Sequence, residues 1–238
     1  MPFQNIGPTV MSGRVVDIDV NPDLPSEFYV GYASGGVWYT NNNGTTFSPI
    51  LDASDTQNVG DIAVHFEDTT AIIWVGSGEN NSSRSSYAGT GMYKSNDGGK
   101  TWQLVLEIDK NTGVTDMEFD PSNPDVIYAA AYQRRRQTWS LLAGGPKSGI
   151  YKSTDNGESW NQVKTGLPKG DIGKIGLAVT PANPEVVYAT IEASDKEKGF
   201  YKSNDKGESW AKQNSYISGG TGPHYYQELV ASPHHFDK

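Results

Sequence analysis

The 238 residues are 35% hydrophobic and 11% aromatic, enough for one large or two modest cores, and their formal charge of −9 repels phosphate backbones and argues against a nucleic-acid partner. The absence of cysteine rules out disulfides and thiolate metal sites, and no apolar stretch approaches the roughly 20 residues that insert across a bilayer. Twenty-seven Gly, 13 Pro and plentiful Tyr and Trp, without a long amphipathic run, favour an all-β chain of short strands and tight turns.

The chain opens on Met1-Pro2-Phe3-Gln4-Asn5, which lacks the basic and apolar regions of a signal peptide. Arg14 precedes a short strand, Asp17-Ile18-Asp19-Val20, stopped by Pro22, and a second strand follows at Phe28-Tyr29-Val30. Gly36-Val37-Trp38-Tyr39 leads into Thr40-Asn41-Asn42-Asn43-Gly44-Thr45-Thr46-Phe47. The same order then returns. Asp61-Ile62-Ala63-Val64 and Ile72-Ile73-Trp74-Val75 precede a long loop, Gly76 to Tyr87, and the box Ser95-Asn96-Asp97-Gly98-Gly99-Lys100-Thr101-Trp102. Asp116-Met117-Glu118-Phe119 and Val126-Ile127-Tyr128-Ala129 precede a predicted loop, Tyr132 to Trp139, and the box Ser153 to Trp160. Gly176-Leu177-Ala178-Val179 and Val186-Val187-Tyr188-Ala189 precede the shorter loop Glu192 to Lys198 and the box Ser203 to Trp210. Glu228-Leu229-Val230-Ala231-Ser232-Pro233 begins the order once more.

The four boxes share the pattern S/T-x-D/N-x-G-x-T/S-W/F, and three follow Gly-x-Tyr-Lys at Gly91, Gly149 and Gly199. Each position suits a hairpin turn. The Asp or Asn accepts from turn amides, the hydroxyl satisfies a neighbouring backbone group, and Gly takes a φ that a Cβ penalises. The closing aromatic at Trp102, Trp160 and Trp210 is expected to be a buried plug. Successive boxes begin 55, 58 and 50 residues apart, longer than WD-type units and without the WD or kelch signatures. Strand A, turn, strand B, loop, strand C, box turn and strand D together make one blade of a β-propeller. The predicted fold is four such four-stranded antiparallel blades, about 12–52, 60–108, 113–165 and 172–214, with the first strand of a fifth in 226–238. This is an incomplete arc of a larger propeller, expected to self-associate through its open edges.

On these residues, with Ser12-Gly13-Arg14-Val15, Tyr32 to Trp38, Gly76 to Asn81 and Gly170 to Gly176, the chain resembles the sortilin-type and Asp-box (bacterial neuraminidase repeat) propellers. It is similar in particular to the N-terminal part of large exported bacterial proteins of that superfamily. The resemblance implies a secreted or cell-envelope protein. It is specific for fold and not for activity, since the superfamily spans sialidases, xyloglucan-cleaving glucanases, sorting receptors and assembly factors.

In a propeller the boxes lie on one face and the B–C loops on the other, around the channel. Loop length and polar aromatic content concentrate on blades 2 and 3, which makes Arg14, Glu79, Asn80, Asn81, Arg84, Arg134, Arg135, Arg136 and Trp139 the candidate ligand-binding residues. Guanidinium forks match carboxylates and an indole offers an apolar face to a sugar. The main expectation is a non-catalytic binding or scaffold propeller contacting protein or glycan. The alternative is a propeller glycoside hydrolase acting on polysaccharide, with part of its carboxylate set beyond residue 238. The five arginines lack a sialidase-type arrangement, and Ser34 stands before Gly35-Gly36 where the xyloglucan-cleaving relatives carry an Asp. Asp17, Asp61 and Asp116 recur in strand A and read as structural. His65, His224, His234 and His235 form no ligand spacing, so no metal or cofactor is expected, with Ca²⁺ in an acidic turn left open.

Overall fold

The computed structural model describes residues 14–66, 70–81, 87–217 and 228–236. The Phe3 to Ile6 segment, Ser12, Gly13, Arg84 and His224 lie outside the described residues. Blade 1 is β1 (Val15–Val20), β2 (Phe28–Tyr32), β3 (Gly36–Thr40) and β4 (Ser48–Pro49), and blade 2 is β5 (Val59–His65), β6 (Ile72–Ser77), β7 (Met92–Ser95) and β8 (Gln103–Leu106). Blade 3 has β9 (Thr112–Asp120), β10 (Asn123–Gln137), β11 (Ser140–Ala143), β12 (Gly149–Ser153) and β13 (Asn161–Gln162). Blade 4 is β14 (Ile175–Val179), β15 (Val187–Ile191), β16 (Gly199–Ser203) and β17 (Ala211–Asn214). Neighbouring strands are antiparallel throughout, and the inner strands β1, β5, β9 and β14 touch in succession. The four sheets form an open arc of a β-propeller.

The core lies between blades rather than within them. Tyr29, Val37 and Leu51 of blade 1 pack on Ile62, Ile73 and Val75 of blade 2. Trp74 and Met92 of blade 2 pack on Met117 and Ile127 of blade 3. Tyr128 and Ile150 of blade 3 meet Leu177, Val187 and Trp210 of blade 4. Each second strand is covered on both faces, which is why it reads as an unbroken apolar run. The outermost inner strand has no such cover, and Val15, Ile18 and Val20 of β1 are about half exposed. At the other end, residues 228–232 form no strand but keep the expected alternation, with Leu229 and Ala231 against Ala178, Val186 and Tyr188. Thr180 Oγ1 donates to the Ser232 carbonyl at 2.6 Å.

Two polar devices tie the blades. The inner-strand carboxylates each accept a backbone N–H of the next blade: Asp17 from Ile62, Asp61 from Met117 at 2.6 Å and Asp116 from Leu177 at 2.8 Å. Asp19 likewise accepts from Val64 at 2.6 Å. On the outer side the box turns of blades 2, 3 and 4 seat on the preceding blade, Gly99 against Ile50, Gly157 against Trp74 and Gly207 against Tyr128. Residues Asn43, Gly98, Asn156 and Lys206 and the glycine after each lie at φ between 54° and 87°, a left-handed pair that only a Gly in the second place holds without strain. In blades 3 and 4 the carbonyl of that turn is then captured by the blade before it. Lys94 Nζ reaches Asn156 O at 3.0 Å, and Tyr128 Oη reaches Lys206 O at 2.9 Å. Lys206 in turn donates to Asp120 at 2.8 Å.

Within the box, Asp97 Oδ1 accepts from Ser95 Oγ and from the amides of Lys100 and Thr101, and Asp155 and Asp205 accept from their own Ser/Thr partners in the same way. Hydroxyl and amide donors hold all three carboxyls down to about 2. The aromatic closes the turn less uniformly than expected. Trp210 is a buried plug at 5% exposure, with the Thr165 to Leu167 segment of blade 3 folded onto it and its amide donating to Thr165 O at 3.0 Å, whereas Trp102 and Trp160 are half-buried. Trp102 Nε1 donates to Ile50 O of blade 1 at 2.9 Å.

Two outcomes follow for stability. Trp210→Ala is expected to cost about 3–5 kcal/mol in a urea titration, and Trp102→Ala and Trp160→Ala less, since less area leaves water there. Burial raises the inner carboxyls, with Asp19 at about 6, Asp116 at about 7 and Glu118 at about 9. A group raised on folding favours the native state at low pH and loses that contribution as pH climbs through its folded value. The melting temperature is therefore expected to fall between pH 5 and 9 by the values just given, and Asp116→Asn to flatten that fall, as scanning calorimetry across the range would show.

Candidate functional site

The loop-bearing end is organised by the turn that follows β6. Gly76 to Asn80 are buried. Ser77 Oγ donates to Gly91 O at 2.6 Å, the Gly78 amide donates to Asn58 O at 3.2 Å, and a Cβ on Gly113 of blade 3 would run into the Ser77 carbonyl. The backbones of blades 2 and 3 thus meet without side chains between them, which holds the turn rigidly against β9.

Cations from three other blades converge on this turn. Arg14, just before β1, donates Nη2 to Glu79 Oε1 at 2.6 Å and to Asn81 O at 3.4 Å. Arg134 of β10 donates Nη1 to the carbonyls of Glu79 and Asn81, both at 3.2 Å. Lys174, just before β14, places Nζ 3.2 Å from Asn81 Oδ1. Glu79 and Arg134 are each 3% exposed and Lys174 is 1% exposed. Burial pushes the Lys174 ammonium down to about 8, with Glu228, Asp116 and Glu192 working against that fall, and burial also lowers the Arg134 guanidinium. Lys174 also donates its amide to Glu192 Oε2 at 3.0 Å.

The structure therefore brings Arg14, Glu79, Asn81 and Arg134 into one polar knot, with Asn80 beside it. Glu79 Oε2, Asn80 Oδ1 and Tyr132 Oη are buried there without a hydrogen-bond partner among the described residues. A carboxylate with one oxygen locked by a guanidinium and the other unmatched is an acceptor set for a hydroxyl. Lys174 is the member that sequence reasoning missed. It occupies the same place before its inner strand as Arg14 does, and that shared phase is the signal that marks it.

Arg135, Arg136 and Trp139 are placed elsewhere. The stretch Tyr132 to Trp139, expected from the sequence to be a loop, is instead the end of β10 as far as Gln137 followed by a tight turn at Thr138 and Trp139, and β10 pairs with β11 from Arg134↔Ala143 to Gln137↔Ser140. The returning strand satisfies the ladder, so the extended conformation continues beyond the blade as a two-stranded ribbon. Trp139 at its tip is 80% exposed, and Arg135 and Arg136 are exposed along it. Among the described residues no group of three or more His, Asp or Glu is arranged to hold a metal ion.

The sequence matches the Sortilin-Vps10 family model, described as sortilin, neurotensin receptor 3, over residues 2–143 and again over 90–226. The chain belongs to the Sortilin-Vps10 family. It is 28% identical over 145 residues to a probable oligoxyloglucan-reducing end-specific xyloglucanase of Neosartorya fischeri, a match covering 58% of this chain and 15% of that protein. Among solved structures, an ancestral GH74 enzyme superposes with a TM-score of 0.65 at 23% identity, over 88% of this chain and 25% of that one. A GH74 enzyme of Niastella koreensis gives 0.64 at 18% identity, over 91% and 33%. The GH74 xyloglucanase of Xanthomonas campestris gives 0.62 at 19% identity, over 84% and 30%. These identities establish a shared propeller fold, and the chain spans a third or less of each relative's length.

The knot and the ribbon should respond differently to truncation. Arg134→Ala strips donors from two carbonyls beside the buried Glu79 and is expected to cost about 3 kcal/mol. Arg135→Ala and Arg136→Ala should each stay within about 0.5 kcal/mol, as exposed charges usually do. Chemical denaturation of the three single variants separates the two classes.

Proposed function

We propose that the chain is a segment of a polysaccharide-acting propeller glycoside hydrolase of an exported protein, with part of the catalytic carboxylate set supplied by residues outside these 238. The observation that carries this reading is Glu79. It is a buried carboxylate at the loop-bearing end, oriented by Arg14 through one oxygen and unmatched at the other among the described residues, on a fold shared with GH74 enzymes. Glycoside hydrolysis needs two carboxyl groups across the scissile bond, one poised as acid and one as nucleophile or base. In this reading Glu79 is one of that pair and the surrounding cations hold it in place.

A second reading, a binding propeller without catalysis, is favoured by Ser34, which puts a hydroxyl where the resembling xyloglucan-cleaving enzymes carry an acidic residue. In that case the protein grips protein or glycan without cutting it. Reducing-end release from xyloglucan and a panel of other polysaccharides by the complete protein distinguishes the two. The hydrolase reading expects release that falls by about 10²-fold or more in Glu79→Gln, a loss of the size that general acid–base groups supply. Inactivity of the complete protein across the panel, with retained polysaccharide binding, would establish the second reading instead.

A further inference from the structure

The β10–β11 ribbon has a composition unlike the rest of the chain. Residues 126–154 hold five cations, Arg134, Arg135, Arg136, Lys147 and Lys152, and no Asp or Glu, within a protein of net charge −9. Arg134 belongs to the knot and Lys152 pairs with Glu208 of blade 4, so Arg135, Arg136 and Lys147 face solvent. The ladder sets Arg135 opposite Leu142 and Arg136 opposite Leu141. Directly opposed residues share a face of an antiparallel pair, so each face of the ribbon shows a guanidinium beside an aliphatic side chain. Leu141 and Leu142 are about 40% exposed, and Trp139 projects at the tip.

A lone two-stranded ribbon is marginal in water, yet this one is rooted firmly. Gly144 donates to Gln133 O at 2.9 Å, Gly145 donates to Ile172 O of blade 4 at 2.9 Å, and Gln133 Oε1 accepts the Lys147 amide at 3.2 Å. An anchored base, a bare indole and unopposed cations describe a surface for an anionic partner with a flat apolar face.

We infer that this ribbon grips acidic polysaccharide around its tip, with a guanidinium on each face, Arg135 on one and Arg136 on the other, binding uronate carboxylates while the Trp139 indole stacks on a sugar ring. This extends the polysaccharide reading above and rests on it. A uronic-acid chain supplies both recognised elements, whereas an acidic peptide offers the charge without the ring face. The denser charge of a nucleic acid would meet the acidic remainder of the chain.

The test is binding of the complete protein to polygalacturonate, its carboxyl-reduced form, neutral xyloglucan and poly-glutamate, followed by calorimetry and affinity electrophoresis. Polygalacturonate should bind, more weakly as salt rises because exposed ion pairs are screened. Carboxyl reduction, Trp139→Ala and the double change Arg135→Ala/Arg136→Ala should each weaken binding by about tenfold or more, with an unchanged melting temperature. Equal binding of the carboxyl-reduced polymer, binding of poly-glutamate at the same strength irrespective of Trp139, or no binding to polygalacturonate would each overturn the inference. Glu79-dependent cleavage of a neutral polysaccharide by a protein that does not bind polygalacturonate would leave the proposed function standing while the ribbon assignment falls.

Discussion

One hydrogen bond sets the spacing of the whole arc: a carboxylate on an inner strand accepting a backbone N–H from the inner strand of the next blade. It occurs at Asp17, Asp61 and Asp116, always to the residue after the corresponding position. An antiparallel sheet has no intrinsic preference for how closely the next sheet stands beside it near a crowded axis. A short side chain with a fixed reach provides that distance. The groups work under strain of burial, since desolvation raises them while the amide donors pull them down. The interblade cores are then registered by the same contact, with Tyr29, Trp74 and Tyr128 each delivered to the face of the following blade.

The loop-bearing end inherits that arrangement. Because the inner strands are held at constant separation, residues just before them arrive at the channel mouth together, and Arg14 and Lys174 meet the same turn from different blades. The turn itself cannot retreat, because Ser77 abuts glycine backbone on the blade 3 side. A carboxylate so placed has its geometry set by four blades at once, the preorganisation that catalytic and binding groups share.

The fold was almost wholly legible from the sequence, because every element of the box has a local cause: a hydroxyl, a carboxylate, a left-handed pair and an aromatic. The recurrence of Asp17, Asp61 and Asp116 at one phase likewise announced a structural role, and the structure shows the bond that it serves. The polar knot was legible only in part. Arg14, Glu79, Asn81 and Arg134 were within reach because long polar loops and isolated arginines stand out, but their convergence depends on blade placement that no local pattern encodes. Lys174 escaped notice as a lone lysine among glycines. The ribbon was misread as a loop for a related reason. Its strand continues past the blade only because Ser140 to Ala143 return alongside it, a pairing set by non-local register and not by the propensity of Arg134 to Gln137. The uneven burial of the three box tryptophans has the same origin, in how far each neighbouring blade overlaps the turn.

The series of inner carboxylates stops at blade 4, where Gly176 occupies the position of Asp116. Beyond it, among the described residues, the stretch from 228 meets blade 4 through Leu229 and Ala231, the Thr180 to Ser232 bond and the Lys202 ammonium over the Phe236 ring at 5.0 Å. In mechanical terms blades 1 to 4 are riveted plates, and among the described residues the stretch from 228 is held on the fourth without a rivet of that kind. A pull on residues 228–236 is therefore met by side-chain contacts, while the riveted blades 1 to 4 move as a single body.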